Sequence, residues 1–141
     1  MPIAHLTRRY RFSASHRLHS PELSDAENWS TYGKCNNPHG HGHNYFLEVT
    51  VSGPVDPMTG MVCNLADLDS FIGREIVERF AHANLNLMAD FNACVPTSEN
   101  LCTRIYEILH RGFTLAHLEK VRLEETNANS FEYAGSATLR R

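Results

Sequence analysis

His41-Gly42-His43-Asn44-Tyr45-Phe46-Leu47-Glu48-Val49-Thr50-Val51-Ser52-Gly53 alternates along its length. His41, His43, Tyr45, Leu47, Val49 and Val51 fall on one face. A period of two is that of a half-buried strand, so both imidazoles point the same way. Residues 5–18 repeat the alternation. Leu6, Arg8, Tyr10, Phe12, Ala14 and His16 share a face there, with His16 near the strand end. Two histidines from one strand and a third from a neighbour make a facial set. Three protein ligands with an open position is the pattern of catalytic rather than structural zinc. His39 has the parity of His41 and His43, but it follows Pro38 in a turning segment and is expected outside the set. His19 reads as a loop residue.

Cys35 lies six residues before His41. Three readings stay open at that spacing. It could be a base or nucleophile whose pKa is depressed beside a metal, a fourth zinc ligand, or a small buried filler.

Residues 19–38 are rich in Ser, Asn, Asp, Pro and Gly and read as a loop. Pro54 to Gly60 reads as a turn, with Met61 and Val62 on the return of a hairpin. Asn64 reads as a helix cap, followed by Leu65, Leu68, Ile72, Ile76 and Phe80 at helical spacing, and the helix should end near His82. A second helix starts at Pro96-Thr97-Ser98-Glu99-Asn100, with Thr97 or Ser98 as cap. Leu101, Ile105, Ile108 and Leu109 form its stripe, and Gly112 is its stop. Val121, Leu123 and Glu125 share a face of a late strand. The turn Asn127-Ala128-Asn129-Ser130 leads to a last strand with Phe131 and Tyr133. Segregated runs of strands and helices predict an α+β fold, an antiparallel sheet with two helices on one face. The other face is expected to need a partner, which oligomerisation would supply while covering the edge strands.

Glu125 stands out on an otherwise apolar face and needs a partner. An aminopyrimidine edge with two N–H donors would serve, as would an arginine. Thr97-Ser98-Glu99 is first a helix start, whose free N–H groups could also bind a polar ligand.

A chain of 141 residues fits one domain, 1–141. Thirteen basic against sixteen acidic side chains give a net charge of −3, which argues against a nucleic-acid or membrane-surface role. No apolar run reaches the length of a membrane span, and the N-terminus lacks a signal pattern, so a cytoplasmic location is expected. Cys35, Cys63, Cys94 and Cys102 form no CxxC pair and are expected as free thiols.

The segments 12–18, 35–45, 64–68, 82–86, 96–100 and 125–129 together resemble the 6-pyruvoyl tetrahydropterin synthase family, in the family's order and over nearly the whole chain. The resemblance implies the tunnelling fold, in which three four-stranded units close a barrel. Two trimers then stack into a homohexamer with active sites between subunits. It implies Zn2+ on His16, His41 and His43, with Cys35 and His82 catalytic. It also implies substrate contacts from Glu125, Thr97, Ser98 and Glu99, with Glu125 anchoring the pterin. The implied reaction converts 7,8-dihydroneopterin triphosphate to 6-pyruvoyl-tetrahydropterin and triphosphate, with no nicotinamide. Arg9, Arg11, Arg17 and Lys34 are candidates to hold the phosphates.

One departure stands out. The family has Asp-His at the end of the first helix, where this chain has Ala81-His82. Losing the carboxylate that orients the histidine predicts slower proton transfer with zinc binding retained. Asp90, nearby in sequence, is a candidate substitute, and Ala81→Asp is expected to raise turnover. The sister enzyme 6-carboxytetrahydropterin synthase shares fold, zinc and substrate, but the five residues between Cys35 and His41 favour the pyruvoyl enzyme. A non-catalytic pterin or zinc binder is the third reading, against which the retained Cys35 speaks.

Overall fold

A computed structural model describes residues 2–136. The strands are β1 (Ile3–His16), β2 (His41–Pro54), β3 (His117–Thr126) and β4 (Asn129–Tyr133). They form one antiparallel sheet in the order β1-β2-β3-β4. The helices are α1 (Asp25–Tyr32), α2 (Leu65–Ile72), the short α3 (Glu78–Phe80) and α4 (Ser98–Gly112). The α+β expectation therefore holds, with two differences.

The stretch read as a loop contains α1. Its apolar content is too low to show a stripe, but Ser24 and Glu27 form a capping box, each side chain bonding the other's backbone N–H. Met61 and Val62 form no strand. The neighbours of β2 are β1 and β3, so nothing is left for a return strand to pair with.

Leu68, Ile72, Ile76 and Phe80 are all fully buried and spaced by four. In an ideal α-helix each step of four rotates the stripe by roughly 40°, so three steps would carry Phe80 off the core face. The π-helical turn Gly73–Val77 lies between α2 and α3. Its wider winding turns the stripe back. On the other helix, Leu101, Cys102, Ile105, Tyr106 and Leu109 face the same core. The sheet contributes Phe12, Tyr45, Leu47, Val49, Val51, Val121 and Leu123 from its helix-covered face.

The opposite face of the sheet, which was expected to need a partner, is charged and internally paired. Arg9 pairs with Glu124, Arg122 with Glu48 and Lys120 with Glu132. Thr7 hydrogen-bonds Thr50, and Ser52 donates to Glu119. Such a surface is at home in water. Among the described residues, what remains unpaired is the strand edge: β4 on one side and β1 on the other, where Ser13–Ser15 is covered by backbone contacts from 82–84.

Asp90 bolts the connection after α3 to α4. Its side chain is 4% exposed and accepts from Arg79 at 2.9 Å and from Arg104 Nε at 2.7 Å. Burial alone would raise its pKa, but the Arg104 and Arg79 hydrogen bonds outweigh it and hold the carboxyl below the usual range. A depressed folded pKa stabilises the fold fully above the ordinary carboxylate value and progressively less as pH falls through the folded one. Asp90→Asn should cost about 1–2 kcal/mol at pH 7, reduced from the buried-pair value because the arginines are partly solvated. The difference should shrink below about pH 4. Urea midpoints of both proteins at pH 7 and pH 3 check it; equal midpoints at pH 7 would refute it.

Candidate metal centre and substrate pocket

The register of β1 on β2 pairs His16 with His41 and Ala14 with His43. Three imidazoles therefore meet at one end of the sheet. Their ring centroids lie 4.6–5.0 Å apart, edge to face. His41 Nε2 and His43 Nε2 are 2.8 Å apart. Glu125 Oε1 lies 2.9 Å from His43 Nε2. One donor atom from each of His16, His41, His43 and Glu125 lies within 4.8 Å of every other.

The fit to a metal rests on His16. Its ring is 1% exposed. Nδ1 lies 2.8 Å from the Pro96 carbonyl, which only an N–H can satisfy. Nε2 is then the unprotonated nitrogen. It faces the cluster, buried and without a hydrogen-bond partner. A ring nitrogen fixed by a carbonyl while the other faces a cluster is the usual support of a metal-bound histidine. Burial also lowers the His16 and His43 pKa values, favouring the neutral form a metal requires.

Glu125 reaches the cluster from the core face of β3, where the pairing of Phe46 with Glu124 sets it beside the His43 face of β2; the β3–β4 register shifts next to it, between Glu124 and Thr126. Its second oxygen, Oε2, accepts from Ser98 Oγ at 2.9 Å. Ser98 is 2% exposed in the first turn of α4. The three residues of the helix start thus separate. Thr97 caps the helix, accepting from Asn100 N. Ser98 holds the carboxylate, and Glu99 is exposed to solvent.

Cys35 sits half-buried on the 3-10 turn Gly33–Asn36, and its carbonyl accepts from Leu18 N at 2.8 Å. It is not one of the converging donor atoms. Burial, and secondly the Glu125 charge, push its thiol up, opposite to the depression expected beside a metal. Low-dielectric walls and a nearby carboxylate both disfavour a thiolate, whereas a bound cation acts the other way. His82 is exposed, with φ +58°, and its cavity is shared with Ser13, Asn44 and His43 but not Cys35. Ala81 packs against the hydrophobic core, so a carboxylate there would be partly desolvated. Asp90, committed to two arginines, does not stand in for it.

Each histidine borders a separate opening. His41 lines a cavity of about 590 Å³ with Trp29, Lys34, Asn37 and Pro38. His16 lines one of about 230 Å³ with Arg17, Pro38, His39 and Asn86. His43 lines the shallow opening beside His82, about 330 Å³. His39 borders an opening and not the cluster, as expected. Tyr45, read from its alternation only as a strand residue, has its hydroxyl buried here without a hydrogen-bond partner.

An α+β sheet carrying a metal-competent histidine triad, a carboxylate and a nearby thiol defines a candidate metalloenzyme. The profile of the family described as "6-pyruvoyl tetrahydropterin synthase" matches residues 5–136. The chain is 48% identical over 140 residues to the 6-pyruvoyl tetrahydrobiopterin synthase of Drosophila melanogaster, covering 98% of this chain and 83% of that one. It is 47% identical to the human 6-pyruvoyl tetrahydrobiopterin synthase, over 94% of this chain and 92% of that one. The solved structure of Caenorhabditis elegans 6-pyruvoyl tetrahydropterin synthase superposes with a TM-score of 0.91 at 46% identity, over 96% and 98% of the two chains. The chain belongs to the 6-pyruvoyl tetrahydropterin synthase family. No helix among the described residues is long and apolar enough to cross a membrane.

Proposed function

We propose that the protein converts 7,8-dihydroneopterin triphosphate to 6-pyruvoyl-tetrahydropterin with release of triphosphate, as a homohexamer whose units join along their free sheet edges. The observation that carries this reading is the convergence of His16, His41, His43 and Glu125 at one end of the sheet in a chain of this family. Zn2+ held by the three histidines would supply Lewis-acid polarisation of the substrate's side-chain hydroxyls.

The chain's own residues divide the remaining work. Glu125 accepts the two N–H groups of the aminopyrimidine edge, with Ser98 fixing one oxygen. Glu99, exposed at the helix start, meets the ligand from the solvent side, while Thr97 holds the helix end in place. Cys35 takes protons from the substrate side chain; ring donors on Glu125 remove part of the charge that keeps its thiol protonated. His82 returns a proton to a Cys35 across a subunit boundary. Ala81 leaves its imidazole without an orienting carboxylate, which slows that step. The ring is reduced as the side chain is oxidised and triphosphate leaves, so no external hydride donor enters.

The candidate cations are no longer equivalent. Arg9 pairs with Glu124 and lies 4.6 Å over the Phe46 ring. Arg11 is opposite Phe46 on the ion-paired face. Lys34 and Arg17 border the openings at His41 and His16, have no carboxylate partner among the described residues, and are separated by Pro38, which lines both. Arg17 donates Nε to the Asn36 carbonyl at 3.1 Å, which aims the rest of its guanidinium. These two hold the phosphates. Lys34→Gln and Arg17→Gln should each raise KM for the triphosphate roughly tenfold, the value of a charge-assisted hydrogen bond. Neither should change the Kd of neopterin, which lacks phosphate. An unchanged KM would remove that residue from the role.

The reading as a whole is tested by product analysis. Zinc-loaded protein and dihydroneopterin triphosphate should give a pyruvoyl product and triphosphate. A carboxy product with acetaldehyde would indicate the sister reaction, and no turnover would indicate a binder.

A further inference from the structure

Tyr45 lies two residues beyond His43 on the same face of β2 and is fully buried. Its ring stacks on Phe12 at 5.4 Å and meets the edge of His43 at 5.7 Å. Phenylalanine would fill that space as well. The hydroxyl adds a buried polar atom with no hydrogen-bond partner. Such a group destabilises a fold unless a partner arrives in another state, so it calls for a physical reason.

The surroundings supply one. β2 and β3 pair Phe46 with Glu124, which makes Tyr45 and Glu125 neighbours on the core face of the sheet, and Ser98 of α4 reaches that same carboxylate. Ser98 already gives its single proton to Glu125 Oε2, leaving both lone pairs of Oγ as acceptors. Glu125 Oε1 is held by His43 Nε2 at 2.9 Å. That second contact cannot survive metal binding, because Nε2 then presents its lone pair to the ion. The carboxylate would lose one of its two anchors when its orientation begins to matter.

We propose that Tyr45 is a positioning residue for the substrate ring: its hydroxyl donates to Ser98 Oγ, and this relay holds Glu125 in place when His43 turns to the metal. Rotation of the Tyr45 and Ser98 hydroxyls completes the chain Tyr45 to Ser98 to Glu125. Tyr45 touches neither metal nor substrate in this arrangement. It stiffens the one carboxylate that reads the aminopyrimidine edge. The inference rests on Glu125 being that anchor.

The test uses neopterin binding to the zinc-loaded protein, with zinc content and thermal midpoint measured alongside. Tyr45→Phe should bind neopterin about tenfold more weakly at full zinc content, and its metal-free form should have an unchanged or raised midpoint, because there an unpartnered hydroxyl is removed. KM for the triphosphate substrate should rise more than kcat falls. In a Ser98→Ala background, Tyr45→Phe should have no further effect. Unchanged neopterin binding in Tyr45→Phe would overturn the proposal, as would a lowered midpoint with losses that add to those of Ser98→Ala. Glu125→Gln separates the two ideas. If it weakens neopterin and Tyr45→Phe does not, the relay alone is wrong. If it leaves neopterin binding unchanged, the ring-anchor reading fails and takes the relay with it.

Discussion

His41→Ala will leave a folded protein that no longer retains zinc through dialysis, and its turnover will fall to background. The expected loss of zinc affinity exceeds about a hundredfold, which changes outside the ligand shell alone can reach. The remaining His16 and His43 cannot form a facial set of three. The variant should fold, because His41 is only half-buried and its Nδ1 makes no hydrogen bond whose loss would matter. His16 is a poorer choice for this experiment. It is only 1% exposed and tied to Pro96, so replacing it mixes metal loss with a defect at the entrance to α4. Equilibrium dialysis with zinc quantified per chain, beside a circular-dichroism melt, checks the prediction. Full zinc retention in His41→Ala would remove it from the ligand set.

Cys35→Ala should lower kcat by about 10²–10⁴, the range of a positioned general base, with zinc content and neopterin affinity unchanged. The separation from the first prediction is physical. Cys35 does not converge with the four donor atoms, so its removal leaves the metal shell intact. Nor should folding suffer, since the bonds that tie its turn to the segment after β1 do not use the thiol: Leu18 N donates to the Cys35 carbonyl, Asn36 Nδ2 to the Leu18 carbonyl and Arg17 Nε to the Asn36 carbonyl. Rates on the triphosphate substrate, with zinc bound in both proteins, decide it. Equal rates would exclude Cys35 as the base and reopen the non-catalytic reading.

Much of this architecture could be read from residue order. The period of two in 41–53 and in 5–18 located both strands that carry the imidazoles. Their antiparallel register then brings His16 opposite His41 with no further information. Helix starts at Asn64 and Thr97 were legible because a capping side chain is a local device. What stayed hidden depends on distant pairings. Periodicity put Glu125 on the face of Leu123, but its approach to His43 follows from the pairing of β3 with β2, which residue order does not show. Ser98 looked like one of three equivalent residues until α4 buried it against Glu125. The ion pairing of the outer face of the sheet was hidden for a related reason. Arg9, Glu48, Arg122 and Glu124 are scattered in sequence and become complementary only across adjacent strands. The capping box at Ser24 was local and could have been found; the lack of an apolar stripe in α1 concealed it.

The left-handed backbone at His82 dictates how its chemistry should be probed. A residue at φ +58° carries a conformational cost that asparagine and glycine bear lightly and alanine does not. The His82 N–H also donates to the Ser13 carbonyl, so a change in that torsion would loosen the segment along the β1 edge. An alanine variant would therefore report on two losses at once, the imidazole and the shape of the chain. Asparagine removes the titrating ring while preserving the bend, and is the cleaner instrument for asking what the imidazole itself contributes.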